Sequence, residues 1–107
     1  MLTLGTSHAF YLLCASTLER GDTVLVEQPT YEMLRRLPAL FGARVERFER
    51  PYDQRRSEES WGLGDLPERI ARLGPAMVLL SNPHNPSGRL LQLAELSAVA
   101  DACADAG

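Results

Sequence analysis

Two short, uninterrupted apolar runs constrain this chain more than any other feature: Val24-Leu25-Val26 and Met77-Val78-Leu79-Leu80. Turn residues bound each of them, Gly21-Asp22 and Pro29 around the first, Gly74-Pro75 and Ser81-Asn82-Pro83 around the second. A short run without polar alternation suits a strand covered on both faces, as in a parallel sheet. Parallel strands need crossover connections, and helical patterns stand where those connections should be. Residues 7–18 read as a helix, with Thr6 or Ser7 as its N-cap and Phe10, Leu13, Cys14 and Leu18 on its inner side. Residues 31–41 read as a second helix, which Pro38 should kink or shorten and Gly42 should close. Asp65-Leu66-Pro67-Glu68 has the form of a capping box, followed by Leu66, Ile70 and Leu73 at helical spacing. Residues 93–106 read as a fourth helix with Leu93, Leu96, Ala100 and Cys103 inward. Residues 43–48 make a weaker strand, and residues 2–4 a short one leading into the first helix. Residues 49–64, with Pro, Gly and mixed charges, read as a solvated connection. Strands alternating with helices predict an α/β fold around a mostly parallel sheet.

Composition removes several classes of function. A length of 107 residues fits one domain or a piece of one. The net charge of −3 gives no basic footprint for nucleic acid. No apolar run is long enough to cross a bilayer and no leader pattern opens the chain, so it reads as soluble and intracellular, with no membrane partner. Cys14 and Cys103 lack the number and spacing of a disulfide scaffold or a metal site. All 11 basic residues are Arg, so the chain has no Lys. Chemistry that needs a lysine amine cannot be completed by this chain alone.

Ligands of open parallel sheets bind at the carboxyl ends of the strands, and three segments fall at such places. Gly5-Thr6-Ser7-His8-Ala9 opens a helix, where free N–H groups and the positive end of the dipole favour an anion. Ordinary capping explains the same residues. Gln28-Pro29-Thr30-Tyr31 puts an aromatic ring just past a buried strand, where it could stack on a planar ligand or simply pack. Residues 82–88, Asn82-Pro83-His84-Asn85-Pro86-Ser87-Gly88, form the most specific of the three. Its prolines stiffen the backbone and present Asn85, a neutral amide suited to donating to a phenolate-like oxygen.

Taken in order, these segments resemble the large domain of the class I/II aminotransferases, fold-type I enzymes that depend on pyridoxal 5′-phosphate. The resemblance runs over all 107 residues and implies a partial three-layer α/β/α domain, truncated at both ends. It implies that Thr6 and Ser7 bind the cofactor phosphate, that Gly5 allows the close approach, that Tyr31 stacks on the pyridine ring and that Asn85 meets the 3′ oxygen. His8 and His84 gain no role beyond shaping their loops. No residue of the chain is implied to be catalytic, because the Schiff-base lysine belongs to a downstream region, as do the aspartate and arginine that complete the family's site. The intact protein is then expected to be a cytoplasmic homodimer that moves an amino group between an amino acid and a 2-oxo acid. Two alternatives stay open at this point. One is another fold-type I enzyme, such as an amino-acid-phosphate decarboxylase or a histidinol-phosphate aminotransferase. The other is a small non-enzymatic phosphate-binding module using the turn at residues 5–9 alone, which would have no use for the Asn85 amide.

Overall fold

The computed structural model describes residues 2–50 and 62–107. Their elements run α1 (Gly5–Thr17), β1 (Thr23–Gln28), α2 (Glu32–Leu40), β2 (Arg44–Glu49), α3 (Leu66–Leu73), β3 (Met77–Leu79) and α4 (Leu93–Ala106). Much of the expected connection after β2, residues 51–61, lies outside the described residues.

The first apolar run forms the central strand. Its side chains alternate between faces, and each face has its own core. Val24 and Val26 join Leu79 of β3 and Leu34 of α2, with Phe10 and Leu18 from the α1 side packed against them. Leu25 points the other way, to Phe48 of β2, Leu66 and Ile70 of α3 and Val99 of α4. Helices thus cover both faces, which is why β1 carries no polar alternation until its carboxyl end, where Glu27 and Gln28 stand. The described residues form a parallel sheet of three strands in the order β2-β1-β3. This is the three-layer α/β/α arrangement expected from the sequence.

The order of connections opens a crevice. From β1 the chain goes through α2 to β2 on one side, then returns by way of α3 to β3 on the other side of β1. Since α2, which follows β1, and α4, which follows β3, pack on opposite faces, the connections leaving β1 and β3 part at a topological switch point. Pro29–Tyr31 and the loop after β3 both leave from that edge.

Local chemistry accounts for the element ends, and it corrects four expectations. Residues 2–4 form no strand: Leu2 and Leu4 are exposed, and neither edge of the described sheet pairs with them. Helix α1 starts two residues earlier than a Thr6 cap would allow, and three earlier than a Ser7 cap. Leu4 occupies the cap position without a side-chain cap bond, and its N–H donates instead to His8 Nδ1 at 2.9 Å. Asp65 does precede α3, but its φ of −87° and ψ of 18° are not the extended cap conformation, and its side chain makes no cap bond. The capping box forms at α4, where the Gln92 N–H donates to Glu95 Oε2 at 2.8 Å. Finally, α4 turns Leu96, Val99 and Ala102 inward and leaves Leu93, Ala100 and Cys103 exposed; in α1, Leu13 is exposed while Cys14 is buried. In both helices the apolar residues fill more than one stripe, so periodicity could not fix the phase.

Other stops follow the sequence. Pro38 sits in the last turn of α2, which ends at Leu40, and Gly42 follows at φ +82°. Gly74 closes α3 in the left-handed region, its N–H donating to Ile70 O at 2.9 Å. Burial raises the thiol pKa of Cys14, in keeping with a packing role.

The burial of β1 and the exposure of the first turn of α4 can be tested by one substitution made at two places. Leu25 is 0% exposed and Leu93 is 82% exposed. Leu25→Ala is expected to cost roughly 2–5 kcal/mol, and Leu93→Ala to stay within about 0.5 kcal/mol. Urea unfolding midpoints of the two variants check both values.

Candidate functional site

The crevice at the β1/β3 edge is an open cleft of about 540 Å³. Thr6 and Ser7 come to it from the start of α1, Tyr31 from the turn into α2, and Asn82 and Asn85 from the loop after β3. Phe10, Leu34, Leu80 and Pro83 give it apolar walls. The Ser7 and Tyr31 hydroxyls lie 3.4 Å apart across it. Thus Thr6, Ser7, Tyr31 and Asn85, separated widely in sequence, line one space. Gly5 does not line it; it starts α1 at φ +83°, a conformation that favours glycine.

The start of α1 suits an anion for local reasons. The first-turn N–H groups of a helix have no partners within it. Here no side chain caps them, and no acidic residue stands in the first turn to oppose a negative ligand.

The loop after β3 is closed by bonds of its own. The His84 N–H donates to Arg89 O at 2.7 Å, the Gly88 N–H donates to His84 O at 2.6 Å, and the Leu91 N–H donates to Asn82 Oδ1 at 2.9 Å. Gly88 takes φ +74°, where a side chain would be strained. The buried ring of His84 then ties this loop to the one carrying Tyr31. Its Nε2 lies 2.8 Å from Pro29 O and its Nδ1 2.7 Å from Ser87 Oγ. A carbonyl can only accept, so Nε2 carries a proton and donates to Pro29 O, while the Ser87 hydroxyl, able to donate or accept, pairs with Nδ1. His84 therefore shapes the loops, and His8 accepts from the Leu4 N–H just ahead of α1 without capping the first-turn N–H groups.

Beneath the cleft lies a polar cluster that sequence reasoning missed. Glu27, 1% exposed, receives Arg50 Nη1 on Oε2 at 2.8 Å. Its Oε1 accepts from Thr30 Oγ1 at 3.1 Å, the Ser81 N–H at 2.8 Å and the Ser81 hydroxyl at 2.5 Å. Arg50 Nη1 also donates to Ser81 O at 3.0 Å. The only hint in the sequence was an acid directly following an apolar run, at the carboxyl end of a strand that both faces bury.

Among the described residues no group of His, Cys, Asp and Glu could hold a metal ion, and no helix is long and apolar enough to cross a membrane.

A model of the aminotransferase class I and II family matches residues 1–107. The chain belongs to that family. It is 30% identical over 100 residues to a histidinol-phosphate aminotransferase of Sinorhizobium fredii, covering 89% of this chain and 24% of that protein. It is 25% identical over 119 residues to a kynurenine–oxoglutarate transaminase of Dictyostelium discoideum, covering 100% of this chain and 27% of the relative. Among solved structures, an aspartate aminotransferase from Rhodobacter sphaeroides superimposes with a TM-score of 0.84 at 32% identity, over 98% of this chain and 27% of that one. The chain thus spans about a quarter of the length of the relatives it matches. The shared region is the α/β unit that brings the loops of residues 5–9, 28–31 and 82–88 to one sheet edge, as the family resemblance implied.

The bridging role of His84 has a measurable consequence. His84→Ala leaves Pro29 O and the Ser87 hydroxyl without their partner, at a cost of roughly 1–3 kcal/mol. Hydrogen exchange should quicken at residues 30–31 and 84–89 and stay unchanged at residues 66–73. Equal acceleration in both regions would mean that His84 supports the whole core and not the two loops.

Proposed function

We propose that the cleft holds pyridoxal 5′-phosphate, and that the intact protein moves an amino group between an amino acid and a 2-oxo acid. The observation that carries this reading is the convergence of Thr6, Ser7, Tyr31 and Asn85 on one cleft at the carboxyl edge of a parallel sheet. The residues fit such a group in three respects. The uncapped start of α1 leaves N–H donors for a phosphate. The Asn85 side-chain amide has no hydrogen-bond partner among the described residues. The volume of about 540 Å³ is within the range of small-molecule sites.

When bound, the cofactor supplies an electron sink for the carbanion formed at the α-carbon of an amino acid. The residues of this chain bind and orient. Thr6 and Ser7 hold the phosphate with backbone N–H groups and hydroxyls, and Gly5 sets the backbone that makes this possible. Tyr31 offers a ring face, and its hydroxyl, close to Ser7, narrows the cleft on the phosphate side. Asn85 donates to the 3′ oxygen and so favours the ionised form of that oxygen. Phe10, Leu34, Leu80 and Pro83 keep water from the walls. The chain has no Lys, so the amine that anchors the cofactor and moves the proton comes from outside these 107 residues. We place the intact protein in the cytoplasm, where the free thiols of Cys14 and Cys103 suit a reducing compartment, and read it as a homodimer on the strength of its family.

Two measurements on the cofactor-loaded intact protein test this reading. Removing a donor that favours an ionised oxygen raises the pH at which that oxygen ionises. Asn85→Ala should therefore keep the cofactor bound and raise the midpoint of its visible-band pH titration, by about one unit for each 1.36 kcal/mol lost. An unmoved midpoint would reduce Asn85 to a turn residue. Ser7→Ala removes a hydroxyl from an anion, worth roughly 1.5–3 kcal/mol, so the cofactor dissociation constant should rise by roughly 10- to 150-fold. Wild-type affinity would remove Ser7 from the phosphate site.

A further inference from the structure

Asn85 projects from a loop, and its backbone is held by more than the loop itself. The Asn85 N–H donates to Ser81 Oγ at 2.9 Å. That hydroxyl in turn donates to Glu27 Oε1 at 2.5 Å, because a carboxylate can only accept. Glu27 is fixed from the other side by Arg50, which is 4% exposed and comes from the end of β2. The Ser81 N–H and the Thr30 hydroxyl complete the set, and Thr30 directly precedes Tyr31. One buried carboxylate therefore collects donors from the carboxyl ends of all the described strands and passes a hydrogen bond, through one hydroxyl, to the residue that faces the cleft.

We propose that Glu27 and Ser81 are positioning residues whose relay sets Asn85 in the cleft. The inference rests on the proposed contact between Asn85 and the cofactor. Ser81 lines the cleft and Glu27 does not, and neither needs to touch the reacting atoms for this purpose. Ser81 is the only hydroxyl to which the Asn85 N–H donates among the described residues, and Glu27 orients it by accepting its proton. A loop held by backbone bonds alone would keep its shape but would lose this one tether between Asn85 and the sheet.

The test uses the cofactor-loaded intact protein and the visible-band pH titration, a readout that mere stabilisation of the sheet would leave unmoved. Ser81→Ala removes the relay without altering charge and leaves the pair of Glu27 and Arg50 in place. It should raise the titration midpoint, in the same direction as Asn85→Ala, by roughly 0.4–1 unit, the equivalent of one neutral hydrogen bond. Ser81→Thr, which keeps the hydroxyl, should restore the midpoint. In an Asn85→Ala background Ser81→Ala should add nothing, because the relay then has no donor to place. Glu27→Gln alone is a poor probe, since the uncompensated Arg50 would itself favour the ionised oxygen and lower the midpoint. Glu27→Gln combined with Arg50→Gln removes both charges and should raise it.

Independent, additive shifts from Ser81→Ala and Asn85→Ala would overturn the relay, as would an unmoved midpoint in Ser81→Ala when Asn85→Ala moves it. A shift in Ser81→Ala with none in the charge-matched double variant would remove Glu27 from the relay and overturn the proposal in its stated form. An unmoved midpoint in Asn85→Ala itself would withdraw the underlying cofactor contact, and the relay with it. Should the double variant fail to fold, Ser81→Ala and Ser81→Thr still decide the matter.

Discussion

A carboxylate buried in the middle of a sheet has to be surrounded by donors, and much of this molecule is arranged around that requirement. Isolated charge inside a protein is costly, and a buried ion pair need not repay its own desolvation. The pair of Glu27 and Arg50 is therefore poor evidence for stability as such. Its effect is on geometry. Removing one partner of such a pair typically costs about 3–5 kcal/mol, so every arrangement of the strand ends that separates the two is strongly disfavoured. Thr30, Arg50 and Ser81 must all stay within hydrogen-bonding distance of one carboxyl group. The carboxyl edge of the sheet, where the loops begin, is pinned from beneath.

That pinning complements the dry part of the fold. Val24, Leu25 and Val26 fix β1 between two helix layers, but apolar packing is tolerant of small slides. Hydrogen bonds to a carboxylate are directional and short, and they act at the end of the strand where a displacement would misplace Tyr31 and Asn85. The site is thus built by two kinds of force in sequence along one strand. Packing sets the layers, and then a polar cluster sets the edge.

The legibility of the chain follows the same division. Elements whose cause is local were readable: the short apolar runs gave β1 and β3, Gly42 and Gly74 gave helix ends, and Pro38 placed the end of α2. Where several local signals competed, reading failed. Asp65 looks like a better cap than Gln92, yet backbone angles decide which side chain can turn back on its helix. The phase of α4 depended on which of its many apolar residues met Phe48, Leu66 and Ile70, and the sequence of the helix does not contain that information. The same holds at the site. Ser7, Tyr31 and Asn85 stand in recognisable segments, whereas Ser81 is 54 residues from Glu27 and Pro29 is 55 residues from the His84 that binds it. Long-range polar partners leave no pattern in a single sequence, and a lone acid after an apolar run was the only trace.

The charges of the site are placed in a way that bears on binding. Among the described residues lining the cleft, none is Arg, Asp, Glu or His. The full charges of Glu27 and Arg50 neutralise each other below it, so the cleft meets a ligand with hydroxyls, an amide, an aromatic face and the partial positive charge of the α1 terminus. That partial charge acts over about the first turn of the helix. On the proposed reading, a phosphate is therefore drawn to Thr6 and Ser7 and to no other point of the cleft. Once it is seated there, the rest of a rigid, planar cofactor has little freedom left. Its ring must lie along the apolar walls near Tyr31, and its far oxygen must fall within reach of the Asn85 loop. A site lined with arginines would bind an anion more strongly and orient it less, because several points would compete for the same charge. Weak, directional and singly placed donors give the cofactor one position, and the buried pair beneath them keeps that position from drifting.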